Sequence, residues 1–223
     1  MAIYLKKFEN HTQYETYING SDAILPNVSI CTTEGDVHYN PWVETKLVVY
    51  YDIQDISSPT TVCTNYDGSF KSIEIDGDVS VDITTQSNIT YQFDSVGEHV
   101  IKYEFNNPTS VGSNAPLLYQ LYTAKRVIIA DTFTCIGNNA FNSCYGLTSC
   151  TIGSGVTSIG SSAFQLCSGL TSITVETTTP PTLGSYAFSN TNNCPIYVPC
   201  ESVNSYKSAS GWSIYASRIQ AIP

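Results

Sequence analysis

One interval governs what this chain can fold into: 23 residues. Residues 136–152 read IGNNAFNSCYGLTSCTI and residues 159–175 read IGSSAFQLCSGLTSITV, with Ile-Gly, Ala-Phe, Cys and Gly-Leu-Thr-Ser in register. A third unit opens at Leu183 with LGSYAF, slipped by one residue after Pro180-Pro181. It regains the interval at Ile196-Tyr197-Val198, so that Ile129, Ile152, Val175 and Val198 fall 23 apart. Upstream, Val111-Gly112-Ser113-Asn114-Ala115 reads as a worn opening unit, with Arg126-Val127-Ile128-Ile129 as its strand. A period between about 20 and 29 residues predicts a leucine-rich solenoid.

The positions that recur as apolar say why such a coil needs neighbours. Phe141, Cys144, Leu147 and Ile152 match Phe164, Cys167, Leu170 and Val175, with Ile173, Phe188 and Val198 in the same inward series. One coil cannot bury these side chains alone; stacked coils bury them for each other. The end of each unit is a short strand, and stacking sets these strands side by side as a parallel sheet. Ser149, Thr151, Ser172 and Thr174 alternate with the inward residues and are expected to face outward, as is Tyr197. They form a hydroxyl strip whose one aromatic could stack on a sugar. Glycines 137, 146, 160, 169 and 184 are expected at tight corners with positive φ. The chain has eight cysteines, with no Cys-x-x-Cys pair and no His at zinc-ligand spacing. They read as small buried hydrophobes carrying free thiols, with a bridge between Cys144 and Cys167, one rung apart, as the alternative.

The IGxxAFxxCxGLTSITI unit resembles the leucine-rich repeat of BspA-like surface proteins over about residues 111–200. The ending is similar too: TTTPPTLGSYAF, then CPIYVP, then ESVNSYKSASGW. There Pro199 stops the last strand, and residues 201–208 have helical spacing, with Val203, Tyr206 and Ala209 on one face. Trp212, Ile214, Tyr215 and Ile219 are expected to cover the open end of the solenoid as a cap. The resemblance implies adhesion or surface binding without catalysis.

Ahead of the repeat, residues 46–107 predict a small antiparallel β-sandwich, immunoglobulin-like, from strands at 47–51, 70–75, 79–83, 89–93 and 99–105. Asp67-Gly68 and Asp76-Gly77 are hairpin turn signals. Asp76, Asp78 and Asp82 lack the order and the distal Glu of a calcium loop, so they read as turn and edge acids. Residues 1–45, rich in Tyr and acids, are expected to be a docking arm. They resemble leaders of structural proteins of phages that infect gut Bacteroidetes. The reading is therefore a mainly β chain in four parts: arm 1–45, sandwich 46–107, about three repeat coils over 108–200, and a helical cap 201–223.

Charge and absent constellations narrow the function. The formal charge is −10. Residues 1–107 hold sixteen acidic and five basic residues, whereas 108–223 hold three and four. That balance disfavours nucleic acid and anionic lipid as partners, since both call for clustered Lys/Arg. No stretch is long and apolar enough to span a membrane, and residues 1–10, MAIYLKKFEN, do not read as a secretory signal. The three His lie within the first 99 residues, and no GxSxG, HExxH or phosphate-cradling glycine loop occurs. No catalytic, cofactor-binding or metal-ligating residue is therefore assigned, and no cofactor is expected. The expected function is that of a non-enzymatic virion structural protein with the repeats facing outward. The alternative is a secreted or cell-surface adhesin-like protein, binding a host surface or glycan, with its signal peptide removed. Expected partners are other proteins or glycans, with a symmetric homo-oligomer expected by analogy.

Overall fold

In the computed structural model the described residues are 47–63, 70–77, 79–80, 89–105, 110–111 and 122–223. Every described strand and helix belongs to one compact unit, Glu44–Ile222. The expected docking arm lies outside the described residues.

Ahead of the repeat come β1 (Leu47–Ile53), β2 (Thr60–Cys63), β3 (Phe70–Ile75), β4 (Val79–Ser80), β5 (Ile89–Tyr91), β6 (Gly97–Phe105) and β7 (Ser110–Val111). Alternation decides their facing. In β1 Leu47, Val49, Tyr51 and Ile53 are buried, and in β6 His99, Ile101, Tyr103 and Phe105. The two strands pair antiparallel along their whole shared length, and β3 pairs antiparallel with the other edge of β6. Between β3 and β4, Asp76 and Gly77 take φ of 50° and 90°, the left-handed pair that Asp-Gly favours in a hairpin turn. The expected strand at 79–83 is described only for Val79–Ser80, and Asp67-Gly68, Asp78 and Asp82 lie outside the described residues. β2 is not among the strands expected from the sequence. It pairs with β5 and lies over the inner face of β1 and β6, where the hydroxyls of Tyr51 and Tyr103 reach the Val62 carbonyl at 2.9 and 2.6 Å.

The repeat supplies β8 (Ala124–Ile129), β9 (Cys135–Ile136), β10 (Ser149–Ile152), β11 (Ser158–Ile159), β12 (Ser172–Val175), β13 (Thr182–Leu183), β14 (Ile196–Val198) and β15 (Ile219–Ala221). β7, β9, β11 and β13 form a small parallel sheet along one side of the solenoid. On the other side β8, β10, β12, β14 and β15 run parallel, and the sheet does not stop at β8. β1 pairs antiparallel with β8, so one sheet continues from β15 through to β4. A single cluster of buried residues accompanies it from Leu47 to Ile219. The described chain is thus mainly β, with one short α-helix near its carboxyl end.

Inside the solenoid Phe141, Phe164 and Phe188 stand in a column, with ring centroids 4.9 and 5.5 Å apart and nearly parallel planes. Cys144, Leu147, Ile152, Cys167, Leu170, Ile173, Val175 and Val198 are buried beside them. Behind the rings the backbone builds its own ladder. The amides of Asn139, Phe141 and Ser143 donate to the carbonyls of Ser161, Ala163 and Gln165 in the next coil, at 2.8–3.0 Å. Ser162, Phe164 and Leu166 repeat this towards Ser185, Ala187 and Ser189.

That ladder corrects the reading of the glycines. Positive φ belongs to Asn139, Ser143, Ser162, Leu166, Tyr186 and Asn190, and to none of the repeat glycines. Gly146, Gly160, Gly169 and Gly184 answer a different demand, close approach between coils. A Cβ on Gly146 would lie 1.8 Å from the Tyr122 carbonyl oxygen, and one on Gly184 would lie 2.3 Å from the Ser161 amide nitrogen.

The cap begins with a 3-10 turn, Cys200–Ser202, and continues as α1 (Val203–Ser208). Trp212 and Tyr206 are fully buried and meet edge to face, and the Trp212 indole N–H donates to the Pro181 carbonyl at 2.7 Å. Tyr215 and Ile219 are buried as expected; Ile214 is not, being 73% exposed on a second 3-10 turn that points it to solvent. Arg218 is buried and donates to the carbonyls of Cys194 and Phe188 and to the Thr191 hydroxyl, supplying partners to carbonyls at the end of the stack.

Candidate recognition face

The outward face of the large sheet is ordered by register. Val48, Ile128, Thr151, Thr174, Tyr197 and Gln220 are consecutive partners across β1, β8, β10, β12, β14 and β15. A second row beside it runs Tyr50, Arg126, Ser149, Ser172. Ser149, Thr151, Ser172 and Thr174 therefore make a two-by-two patch of partly exposed hydroxyls. Tyr197 borders it on one side. On the other, the Arg126 guanidinium lies 3.6 Å over the Tyr50 ring, a cation–π contact that fixes both side chains. The sequence pattern places Tyr197 on this face. It gives no reason to place Tyr50 there, because the neighbour of β8 is chosen by tertiary pairing.

The patch differs from the hydroxyls next to it. Thr148 and Thr171 donate through Oγ1 to the carbonyls of Lys125 and Thr148, each one coil away, at 2.8 and 2.9 Å. Thr157 does the same to Thr134 at the opposite corner. These threonines staple coil to coil. The four patch hydroxyls make no side-chain hydrogen bond to any described residue, so their donors and acceptors face outward uncommitted.

The other reactive side chains are occupied. His99 is 6% exposed, with Nδ1 2.7 Å from Asp76 Oδ2 and Nε2 3.0 Å from the Ser95 carbonyl. Asp76 Oδ1 accepts the Val100 amide. Burial of the ring opposes its charge, but the Asp76 and Ser95 hydrogen bonds outweigh that and raise the His99 pKa. Both ring nitrogens being engaged, the imidazole offers no free edge to a substrate. No motif in the sequence announces this pair, although the alternation of residues 97–105 points His99 inward. Asp76 is thus a partner of His99 as well as a turn residue.

Cys63, Cys135, Cys144, Cys150, Cys167 and Cys194 form no disulfide. Burial pushes the Cys150 thiol up. A hydrogen bond with Cys144, followed by burial, does the same for Cys167. The Cys167 thiol donates to the Phe141 carbonyl at 3.0 Å. Such thiols stay protonated and are poor nucleophiles. Cys200 departs from the expected free state, being disulfide-bonded, and Cys31 lies outside the described residues. Among the described residues no three His, Cys, Asp or Glu side chains converge as metal ligands, and no helix is long and apolar enough to cross a membrane.

Comparison with known proteins bears on the same region. The family model described as BspA type Leucine rich repeat region matches residues 91–210 in six copies, 120 of the 223 residues. The match starts in β5, ahead of the repeat visible by self-comparison. Comparison with curated proteins gave no match.

Proposed function

Because this chain belongs to the BspA-type leucine-rich repeat family, whose repeats are non-enzymatic interaction modules, we propose that it is a recognition protein acting at a cell surface or after secretion. The observation that carries the reading is the outward sheet face, where uncommitted hydroxyls lie between Tyr197 and the Tyr50–Arg126 pair. The occupied His99 ring and the protonated thiols support a role in binding over one in catalysis.

The virion reading rests on the uneven charge. An acidic half, with residues 1–45 as a docking arm and 46–107 as an immunoglobulin-like module, would join other virion proteins. The nearly neutral repeats, 108–200, with their cap, 201–223, would then face outward. In either setting a symmetric homo-oligomer would multiply weak contacts.

Binding of the labelled full chain to intact cells and to purified extracellular-matrix glycoproteins tests the recognition reading. Saturable binding that Thr174→Lys weakens about tenfold or more is expected, since a charged stem would stand in the middle of the face. Binding indifferent to that substitution, or turnover of a polysaccharide or peptide, overturns it.

A further inference from the structure

We infer that the ligand of the outward sheet face is an extended, neutral glycan lying across the strands, an inference that rests on the recognition reading above. The face has the chemistry such a ligand needs. A pyranose ring presents hydroxyls at its edge and C–H bonds on its faces. The hydroxyl patch offers donors and acceptors to the edge, and Tyr197 offers a π-surface to a C–H face. Arg126, held over the Tyr50 ring, adds donors at the far side.

Geometry favours a polymer over a single sugar. The two rows run perpendicular to the strands and repeat at the strand spacing, roughly 4.8 Å. That is close to the length of one sugar unit in an extended glycan, so successive units would meet successive rungs. Each would find the same pair of hydroxyls in β10 and β12, with Tyr197 and the Tyr50–Arg126 pair bounding the track.

Charge selects the neutral class. The four patch residues carry no charge, and residues 108–223 hold only three acidic and four basic residues, so the patch offers no cluster of cations to a polyanion. A protein partner is a poorer fit. Protein interfaces concentrate their energy in aromatic and Arg anchors within an apolar centre, and the centre of this face is Ser and Thr.

Affinity electrophoresis of the full chain through gels containing neutral polysaccharides (a glucan, a mannan, a xylan and a galactan) is the test. At least one is expected to retard the chain, equally between about 0.05 and 0.5 M salt, because no ion pair is involved. Tyr197→Ala and the isosteric pair Thr151→Val/Thr174→Val are each expected to weaken retardation about tenfold. The valines suit a strand, so that variant reports on the hydroxyls even if Tyr197→Ala compromises folding. Three results overturn the inference: no retardation by any of the four, retardation only by uronic or sulfated polymers with strong salt dependence, or retardation indifferent to both variants. A chain that ignores every polysaccharide yet binds a matrix glycoprotein through its polypeptide, in a manner sensitive to Thr174→Lys, loses the glycan and keeps the recognition reading. Binding to neither target removes both.

Discussion

Phe164 is stacked on both faces by the residue type it repeats, whereas Tyr51 and Tyr103 meet over a carbonyl that occurs once. This contrast separates the two halves of the large sheet. In the solenoid every device recurs in the next coil: the Phe column, the amide ladder and the threonine staples. In β1–β6 the devices are singular, such as the two tyrosines over Val62 and the His99–Asp76 pair. The halves meet where β1 pairs with β8 and covers an edge that the first rung would otherwise expose. At the other end Trp212, Tyr206 and Arg218 close the stack with side chains. A repeated contact draws its strength from number, while a singular contact depends on exact placement.

The largest expected effect lies in the column. Phe164→Ala removes a fully buried ring stacked above and below, which costs about 3–5 kcal/mol for a change of this kind. Urea unfolding of the variant measures it. Hydrogen exchange is expected to show the loss first in the amides of the coil ladder, such as Phe141 and Phe164, with β1 and β6 still protected. Equal loss across both halves would break the contrast, because the continuous sheet would then unfold as one unit.

A smaller effect is expected where the contact is singular. β2 is irregular between Thr61 and Cys63, so Val62 falls outside the regular ladder with β5. Its carbonyl is served instead by both tyrosine hydroxyls, themselves 2.8 Å apart. Tyr51→Phe leaves Tyr103 to satisfy it, and Tyr103→Phe leaves Tyr51, so each single change is expected to cost about 1 kcal/mol. The double change leaves a buried carbonyl without either hydroxyl and is expected to exceed the sum of the two by about 1–2 kcal/mol. A double-mutant cycle in urea measures this coupling. Strict additivity would show that the pair is as redundant as a solenoid contact.

Legibility in the sequence obeys the same division. The Phe column, the inward cysteines and the two-by-two hydroxyl patch repeat at a fixed interval, so a pattern exposes them. The repeat glycines are legible in position and misleading in purpose. A gap in side-chain volume looks the same in sequence whether it serves φ or the close passage of a neighbouring backbone. Ile214 reads as a cap residue because it is apolar, but the 3-10 turn leaves it facing water. No periodic signal could announce β2, the partner of Asp76, or the pairing of β1 with β8, since each is a single event between distant segments. The Tyr50–Arg126 end of the outward face is hidden for that reason too.

The smallest effect is the titration of His99, and geometry sets its sign. As an imidazolium the ring donates Nδ1–H to Asp76 and Nε2–H to the Ser95 carbonyl. Burial disfavours that charge; the hydrogen bonds to Asp76 and Ser95 and the charges of Asp76 and Asp94 outweigh it and hold the pKa above 6.5. An unfolded chain gives up the proton near the ordinary value, so the folded state retains it to higher pH. The contribution is fully present below about pH 6.5 and fades as pH rises through the raised value. Above that value Nε2 turns a lone pair towards the Ser95 carbonyl, while Nδ1–H still serves Asp76, so only part of the contact is lost. The urea midpoint is therefore expected to decline across this window by less than the Tyr51/Tyr103 double change produces. His99→Gln is expected to flatten the decline, and an NMR titration of the ring to place it at the His99 pKa. A midpoint constant through the window, or a decline that persists in His99→Gln, would mean that this singular contact is dispensable and that the amino-terminal half is held by its apolar face alone.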